Sequence, residues 1–528
     1  MNRRPAARLL RTLALPVVLV VALAGCGGGS NKPNVTSSAP TDHTLRLSFL
    51  QDPGQPPDPD IYYAGQGLIL TQNLYEGLLA YKLGSDKPEI VPNLATDWTV
   101  SPDKSVYTLN LRSDVTFHDG TKFDSSAVKP SFDRRTAVGQ GPAYMVSDVK
   151  SVDTPSPTQV VITLNAPNSA FLDYLASPYG PKMMSPTILS QDAGDDHAQT
   201  YLQTHDAGTG PYTLTRADVG QGYQMKAFSG WWGGNVYFTT VELPVITDLS
   251  TQQLELNNGE LHGILHDLNA PAVASYLGNS GVATYSMPSF TTEQVYVNPN
   301  TGLLADPAAR KAFQQALDVE SLRTQVFKGR SDPATGNYPA GMLPAATDKQ
   351  DVTADTGPLQ NLAKSASAAD KTIVLGYDTS QPDDQQLANL VGAKLQQLGL
   401  TPQVQGFTTS QVFGWVGNQK GAPNVLFSSF WPDAAHPYTA AHILYAADGG
   451  LNYLGCSDPQ ITQLLPGALQ SGDQATYAQI GQLASATGCW TNIAYRKDFM
   501  VTQKWLKGVE ASHDISAPMS LHIAGLSA

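Results

Sequence analysis

PNLATDWTVSPDKSVYTLNLRSDVTFHDGTKFDSSAVKPSFDR, residues 92–134, decides how the rest of the chain is read. Within it, SVYTLNLRSDVTFHDG alternates apolar and polar side chains as a hairpin does, and Asp119-Gly120 supplies the turn. Working outward toward the N-terminus, TLRLSFL (44–50) alternates like a strand, and GQGLILTQNLYEGLLAYK (65–82) has helical spacing through Leu70, Leu74 and Leu78. Toward the C-terminus, TQVVITLNAP (158–167) is a further strand and NSAFLDYLA (168–176) a helix. TGPYTLTRADVGQGYQMKAF then predicts two strands around a turn at Gly220-Gln221-Gly222.

The second half alternates helices with strands. DPAARKAFQQALDVESLRTQVF predicts one helix, opened by Asp306-Pro307 and striped by Phe313, Leu317 and Leu322. TIVLGYD is a strand, DQQLANLVGAKLQQLGL an amphipathic helix stopped by Gly399, and TPQVQGF and PNVLFSSF are further strands. Helices interleaved with strands imply an α/β protein with mixed sheets. Some five hundred residues exceed what one core can organise, so two or three domains are expected.

The first residues carry a different message. Arg3, Arg4, Arg8 and Arg11 precede an apolar run, Leu13 to Ala24, too short to span a membrane. The run ends in Leu23-Ala24-Gly25-Cys26, which is similar to the bacterial lipobox, so residues 1–25 are expected to be a lipoprotein signal peptide and Cys26 the site of lipid attachment. Residues 26–43 have no apolar period and are rich in Gly, Ser, Pro and Asn. They form a flexible tether whose ends lie roughly 20–25 Å apart. The protein is thus expected outside the cytoplasm, anchored to the bacterial cell membrane by lipid. In an oxidising compartment, Cys456 and Cys489 most simply pair as a disulfide.

The formal charge is −13, and without residues 1–25, which hold four arginines and no acid, it is −17. This charge argues against nucleic acid as a partner, since phosphate binding needs clustered Lys and Arg.

Several stretches together resemble the extracytoplasmic solute-binding proteins, family 5, of peptide- and nickel-type ABC transporters. These are LYEGLLAY (74–81), residues 92–134 with VTFHDGTKF at their centre, GTGPYTL (208–214), WWGG (231–234), LNNGELHGI (256–264) and ADPAARKAFQQALDVESL (305–322). The resemblance implies a two-lobed periplasmic-binding-protein-like fold of type II, cluster C. Lobe one would comprise residues 44–299, with 80–200 as an inserted subdomain, and the chain would return to it over 496–528. Lobe two would be residues 300–495, and ligand would favour closure about a hinge. It further implies a monomeric binding protein, with no enzymatic activity and no cofactor, that delivers short peptides to permease subunits.

In peptide-binding members, lobe two carries aromatic-x-x-Asp-x-x-acid-Pro, whose Asp pairs with the ligand's α-ammonium. The matching segment here is Phe430-Trp431-Pro432-Asp433-Ala434-Ala435-His436-Pro437. Asp433 is thus the candidate anchor, with Phe430, Trp431, His436 and Tyr438 around it. An enclosed ammonium needs such a carboxylate to offset desolvation, and strand-like main-chain pairing would add affinity without choosing a sequence. Read from its residues alone, Pro432-Asp433 is also good turn or capping chemistry. His436 replaces the usual acid, with a helix-start role beside Pro437 as its other reading. Tyr62 and Tyr63, near Gln66 and after Asp58-Pro59-Asp60, are weaker candidates from lobe one.

Other constellations fit less well. His262 and His266 are four apart, but the metalloprotease glutamate is missing. The nickel branch has a His where Tyr438 stands, although His442 lies nearby. There is no G-x-S-x-G elbow for a nucleophile, and Trp231-Trp232 suit packing better than sugar stacking. Rival ligands are a nickel chelate, haem or an oligosaccharide; from another class, the same fold could serve envelope regulation through protein contacts. A transport role predicts an open cleft faced by Asp433, whereas a regulatory role allows the protein's own side chains to fill it.

Overall fold

The computed structural model describes residues 38–528 apart from 64, 267, 351 and 352. The signal-like segment, Cys26 and most of the tether lie outside the described residues.

Three sheets carry the architecture. In the first, Thr44–Arg46 runs parallel to Thr240–Pro244, which continues antiparallel through Gly222–Ala227 to Tyr212–Asp218. Leu45, Val241, Leu243, Tyr223, Met225 and Tyr212 bury one face against the helix Leu68–Leu74 and against Leu521, Ile523 and Leu526 from the chain's end. The second sheet is wholly antiparallel, in the order Ala95–Val100, Val106–Leu111, Gln159–Leu164, Val149–Ser156. In chain order it falls between the first and second strands of the first sheet. Its alternation buries Tyr107, Leu109 and Leu111 opposite Val160, Ile162 and Leu164, as the two-residue period of a half-buried strand requires.

The third sheet has seven strands and is mixed. At its centre Val282–Val297 and Trp490–Gln503 pair antiparallel, with register breaks between Pro288 and Thr292 and between Glu293 and Gln294. A strand of 16 residues reaches about 50 Å, enough to cross from one domain-sized unit to another. Val425–Phe430 pairs with Val282–Val297, and Thr372–Asp378 and Thr401–Phe407 extend the sheet in parallel. The apolar cluster of the second sheet runs without a break into the helices Pro437–Tyr445, Pro459–Ser471 and Gln474–Ala486.

Three local expectations are corrected. The helix from Leu68 stops at Leu74, and Leu79–Tyr81 is a strand paired with Ile90–Pro92. Tertiary contacts override the spacing here: Glu76 accepts from the Trp232 indole (3.0 Å) and the Thr209 hydroxyl (2.8 Å). The Asp119-Gly120 turn exists, with Gly120 at φ 87°, and closes a short hairpin in which Thr116 pairs with Lys122, yet Val106–Leu111 pairs with its neighbours in the second sheet and not across that turn. His118 explains the difference. Its ring meets the Asp206 carboxylate and the Gly210 carbonyl (2.9 Å), which ties the turn to residues 206–210. The long helix over 306–327 is two helices, Pro307–Ala316 and Val319–Phe327, divided at Asp318. Asp318 lies at φ 46° and its carboxylate accepts from the Ser321 N–H, capping the second helix. The pairing of Cys456 with Cys489 is present as a disulfide.

Candidate functional site

The strand Val425–Phe430 ends where Phe430 enters the core, and residues 431–436 turn the chain into the helix Pro437–Tyr445. Pro437 occupies the first helical position, where its missing N–H costs nothing. His436 is the cap: its Nδ1 accepts from the Tyr438 N–H at 3.2 Å. Thr439 Oγ1 lies within hydrogen-bond distance of the carbonyls of Ala434 (2.6 Å) and His436 (2.7 Å), which share its one hydrogen. With the helix start satisfied by these groups, the Asp433 side chain is free to point elsewhere.

Residues of the second-sheet region clamp this turn. The Ser177 hydroxyl donates to the Asp433 carbonyl, and the Ala435 N–H donates to the Tyr81 hydroxyl at 2.9 Å. Trp431 Nε1 donates to the Tyr179 hydroxyl at 3.1 Å. Asp433 is 7% exposed. Its Oδ2 accepts from the Tyr63 hydroxyl and from the Tyr144 hydroxyl, the latter at 2.7 Å. Burial raises its pKa and the two phenols only partly offset this. Among the described residues no Lys, Arg or His forms an ion pair with it.

The loop that carries Tyr63 begins in a buried charge cluster. Asp58 takes both terminal nitrogens of Arg134 (2.8 and 2.6 Å), and Asp60 bridges Arg134 (2.6 Å) and Arg135 (2.8 Å). Arg135 also donates to the carbonyls of Tyr179 (2.7 Å) and Gly180 (3.0 Å). One cluster therefore fixes both the loop that carries Tyr63 and the loop that carries Tyr179. Tyr63 lies edge-on to Tyr179 at 5.5 Å, and Tyr144 edge-on to Tyr174 at 5.7 Å.

The structure thus brings Asp433, Trp431 and Tyr63 together and disperses the other candidates. Phe430 is a core residue, and Tyr438 sits on the next helical turn, tilted against His442 at 5.4 Å. Tyr62 is buried with its hydroxyl on the Gly67 N–H, away from Asp433. His436 caps the helix, and its Nε2 lies 3.3 Å from Ser169 Oγ; burial lowers its pKa to about 4. Tyr144 and Tyr179 were not singled out in the sequence, where GQGPAYM and SPYGP show turn chemistry and nothing of what the turns face. The Asp433 carboxylate meets two of the protein's own tyrosines.

The remaining constellations resolve structurally. His262 Nδ1 accepts from the Arg46 N–H (3.0 Å), and His266 Nε2 meets Gln252 Oε1 (2.6 Å). Among the described residues no group of three or more His, Cys, Asp or Glu is placed to hold a metal ion. Trp231 and Trp232 both turn their indole nitrogens to Glu76, and Arg112 stacks on Trp232 at 3.8 Å. Among the described residues no helix is long and apolar enough to cross a membrane.

Comparison with known proteins agrees with this architecture. The family described as bacterial extracellular solute-binding proteins, family 5 Middle, matches residues 89–452. The chain is 25% identical over 464 residues to the probable D,D-dipeptide-binding periplasmic protein DdpA of Escherichia coli, covering 87% of this chain and 88% of that one. Among solved structures it resembles the periplasmic binding protein DppA from Helicobacter pylori in complex with peptide STSA, with a TM-score of 0.78, 19% identity, and coverage of 92% and 98%. It resembles NikZ from Campylobacter jejuni in complex with Ni(L-His) equally well, with a TM-score of 0.78, 19% identity, and coverage of 92% and 100%. A fold shared with a peptide complex and a nickel complex does not by itself choose a ligand. The family match spans more than half of the sequence, and the chain belongs to the bacterial extracellular solute-binding proteins, family 5, which are transport proteins and not enzymes.

Proposed function

We propose that the protein is the lipid-anchored, extracytoplasmic substrate-binding component of an ABC transporter, capturing short peptides between two lobes and passing them to the permease. Lobe one would comprise 44–299 with the return 496–528, lobe two 300–495, and the crossing strands Val282–Val297 and Trp490–Gln503 would serve as the hinge. The observation that carries the reading is Asp433. A carboxylate 7% exposed without a cationic partner among the described residues is costly to keep ionised. A ligand's α-ammonium would relieve that cost. DdpA's name places a dipeptide among the ligands of a relative.

Native mass spectrometry of the purified protein tests the reading. A co-purifying ladder of peptides two to five residues long is expected; metal or haem alone would sink it. Replacing Asp433 by Asn keeps a hydrogen-bonding group and removes the charge. Losing one partner of a buried ion pair costs about 3–5 kcal/mol, so D433N is expected to weaken free-amine peptides by at least ~100-fold. Unchanged affinity rejects the anchor role. A second reading, envelope regulation through protein contacts, has in its favour that Tyr63 and Tyr144 occupy Asp433. It predicts that no small molecule binds at all.

A further inference from the structure

The helix Pro459–Ser471 ends at Gly472, whose φ of 70° closes the last turn by returning its N–H to the Ala468 carbonyl at 2.8 Å. The carbonyls after Ala468 have no donor within the helix. The helix also carries no basic residue in its last turn to balance its dipole. Both needs are met from far away in the chain. Lys104 Nζ donates to the Ser471 carbonyl at 2.5 Å. Ser169 donates to the Leu469 carbonyl twice, through its N–H at 2.9 Å and its hydroxyl at 2.5 Å. The approach is close: a Cβ on Gly472 would lie 2.9 Å from Ser169 Cβ and 3.2 Å from Lys104 Nζ.

The two donors form one piece. The Asn168 N–H donates to the Lys104 carbonyl at 3.2 Å. Asp103 ties the turn by accepting from the hydroxyls of Ser101 (2.5 Å) and Ser105 (2.8 Å). Lys104 itself stands at φ 57°, a left-handed backbone that favours glycine. The turn thus holds a lysine where glycine would be easier, and what the lysine adds is the ammonium on the helix end.

In the division proposed above, Lys104 and Ser169 belong to the inserted subdomain of lobe one and the helix to lobe two. The helix cap therefore exists only while the lobes meet, and opening returns the carbonyls and the ammonium to water. Asp433 takes its donors from Tyr63 and Tyr144, so this contact is separate from the anchor. We propose that Lys104 and Ser169 on the end of the helix Pro459–Ser471 form a latch across the cleft, which slows opening and prolongs the stay of every ligand by the same factor without choosing among them. The inference rests on the two-lobe reading.

K104G suits the backbone of its turn and removes the ammonium, and S169A removes the hydroxyl and leaves the N–H. Dissociation of di-, tri- and pentaalanine from the intact wild-type protein, both single variants and K104G/S169A is timed by tryptophan fluorescence after rapid dilution. Each single variant is expected to release all three peptides ~2- to 10-fold faster, and the double variant ~10-fold or more, with one factor common to the three. An unchanged rate, or a factor that differs from peptide to peptide, overturns the latch and leaves the peptide reading intact. Should the double variant fail to melt cooperatively, the single variants decide by the same criterion. Should the wild type bind none of the three peptides, the peptide reading fails by itself and small-angle X-ray scattering decides the latch. A larger radius of gyration in K104G/S169A than in wild type then supports it, and an identical one overturns it.

Discussion

His436 holds the helix Pro437–Tyr445 by accepting the Tyr438 N–H at Nδ1, which leaves its proton on Nε2. Ser169 gives its hydroxyl hydrogen to the Leu469 carbonyl at 2.5 Å, so its oxygen is available to Nε2 at 3.3 Å. The neutral ring satisfies both neighbours, and a second proton would set N–H against N–H. Burial, with Lys104 as a smaller contribution, lowers the pKa to about 4, below the ordinary value near 6.5. The unfolded chain therefore takes up the proton first, and stability falls as pH drops from about 6.5 to 4, by up to about 3 kcal/mol. H436N, which caps without titrating, should lose less melting temperature than wild type between pH 7.5 and 4.5; parallel pH profiles would refute this. His118 has the opposite sign. Burial alone would lower its pKa, but the Asp206 carboxylate and the Gly210 carbonyl overcome burial and raise it. Its stabilisation is full below about 6.5 and is lost as pH rises through the folded value. H118Q should thus cost more stability at pH 6 than at pH 9, by about 3–5 kcal/mol at the lower pH, as urea titration at each pH would read. Within VTFHDGTKF, His118 is the residue that makes this tie.

At the scale of elements, the loop bearing Tyr63 and the turn bearing Tyr179 depend on Arg134 and Arg135. The Asp58–Arg134–Asp60–Arg135 cluster is buried, and removing Arg134 leaves Asp58 without a cationic partner and Asp60 with Arg135 alone. R134A is expected to cost about 3–5 kcal/mol, and R134K nearly as much, because an ammonium cannot reproduce the two-pronged contact with Asp58. Chemical denaturation checks the magnitude, and equal stability of R134K and wild type would contradict it. Strands and amphipathic helices here were legible from their periods: Gln159–Leu164, Thr372–Asp378 and Pro382–Gln397 lie where alternation and spacing place them. The helix through Leu78 and the single helix over 306–327 were not. Their ends are set by Glu76 meeting Trp231 and Trp232, and by Asp318 capping the second helix, contacts that a period does not contain.

Across the whole molecule, the disulfide joins Cys456 to Cys489 at the start of the long strand Trp490–Gln503. It closes a loop of 33 residues, which restricts the unfolded chain by about 3–4 kcal/mol. The double variant C456S/C489S should lower the melting temperature correspondingly, with peptide binding retained at 25 °C; an unchanged melting temperature would show that the crosslink contributes nothing. The same region receives contacts from the second sheet, through Ser169 N–H on the Leu469 carbonyl (2.9 Å) and Lys104 on the Ser471 carbonyl (2.5 Å). Tyr63 and Tyr144 on Asp433 therefore belong to a wider set of contacts between early and late chain.

Composition and periodicity pointed by themselves to the α/β class and the mixed sheet. The motif Phe430 to Pro437 singled out Asp433 before any coordinate. Only the tertiary structure decided what Asp433 meets. Its phenol partners lie 370 and 289 residues away along the chain, and its isolation from cations follows from where Arg134 and Arg135 are spent. Local sequence records which face of an element is apolar; which distant side chains share a buried carboxylate is settled by the packing of whole sheets, and packing is a property of the folded chain.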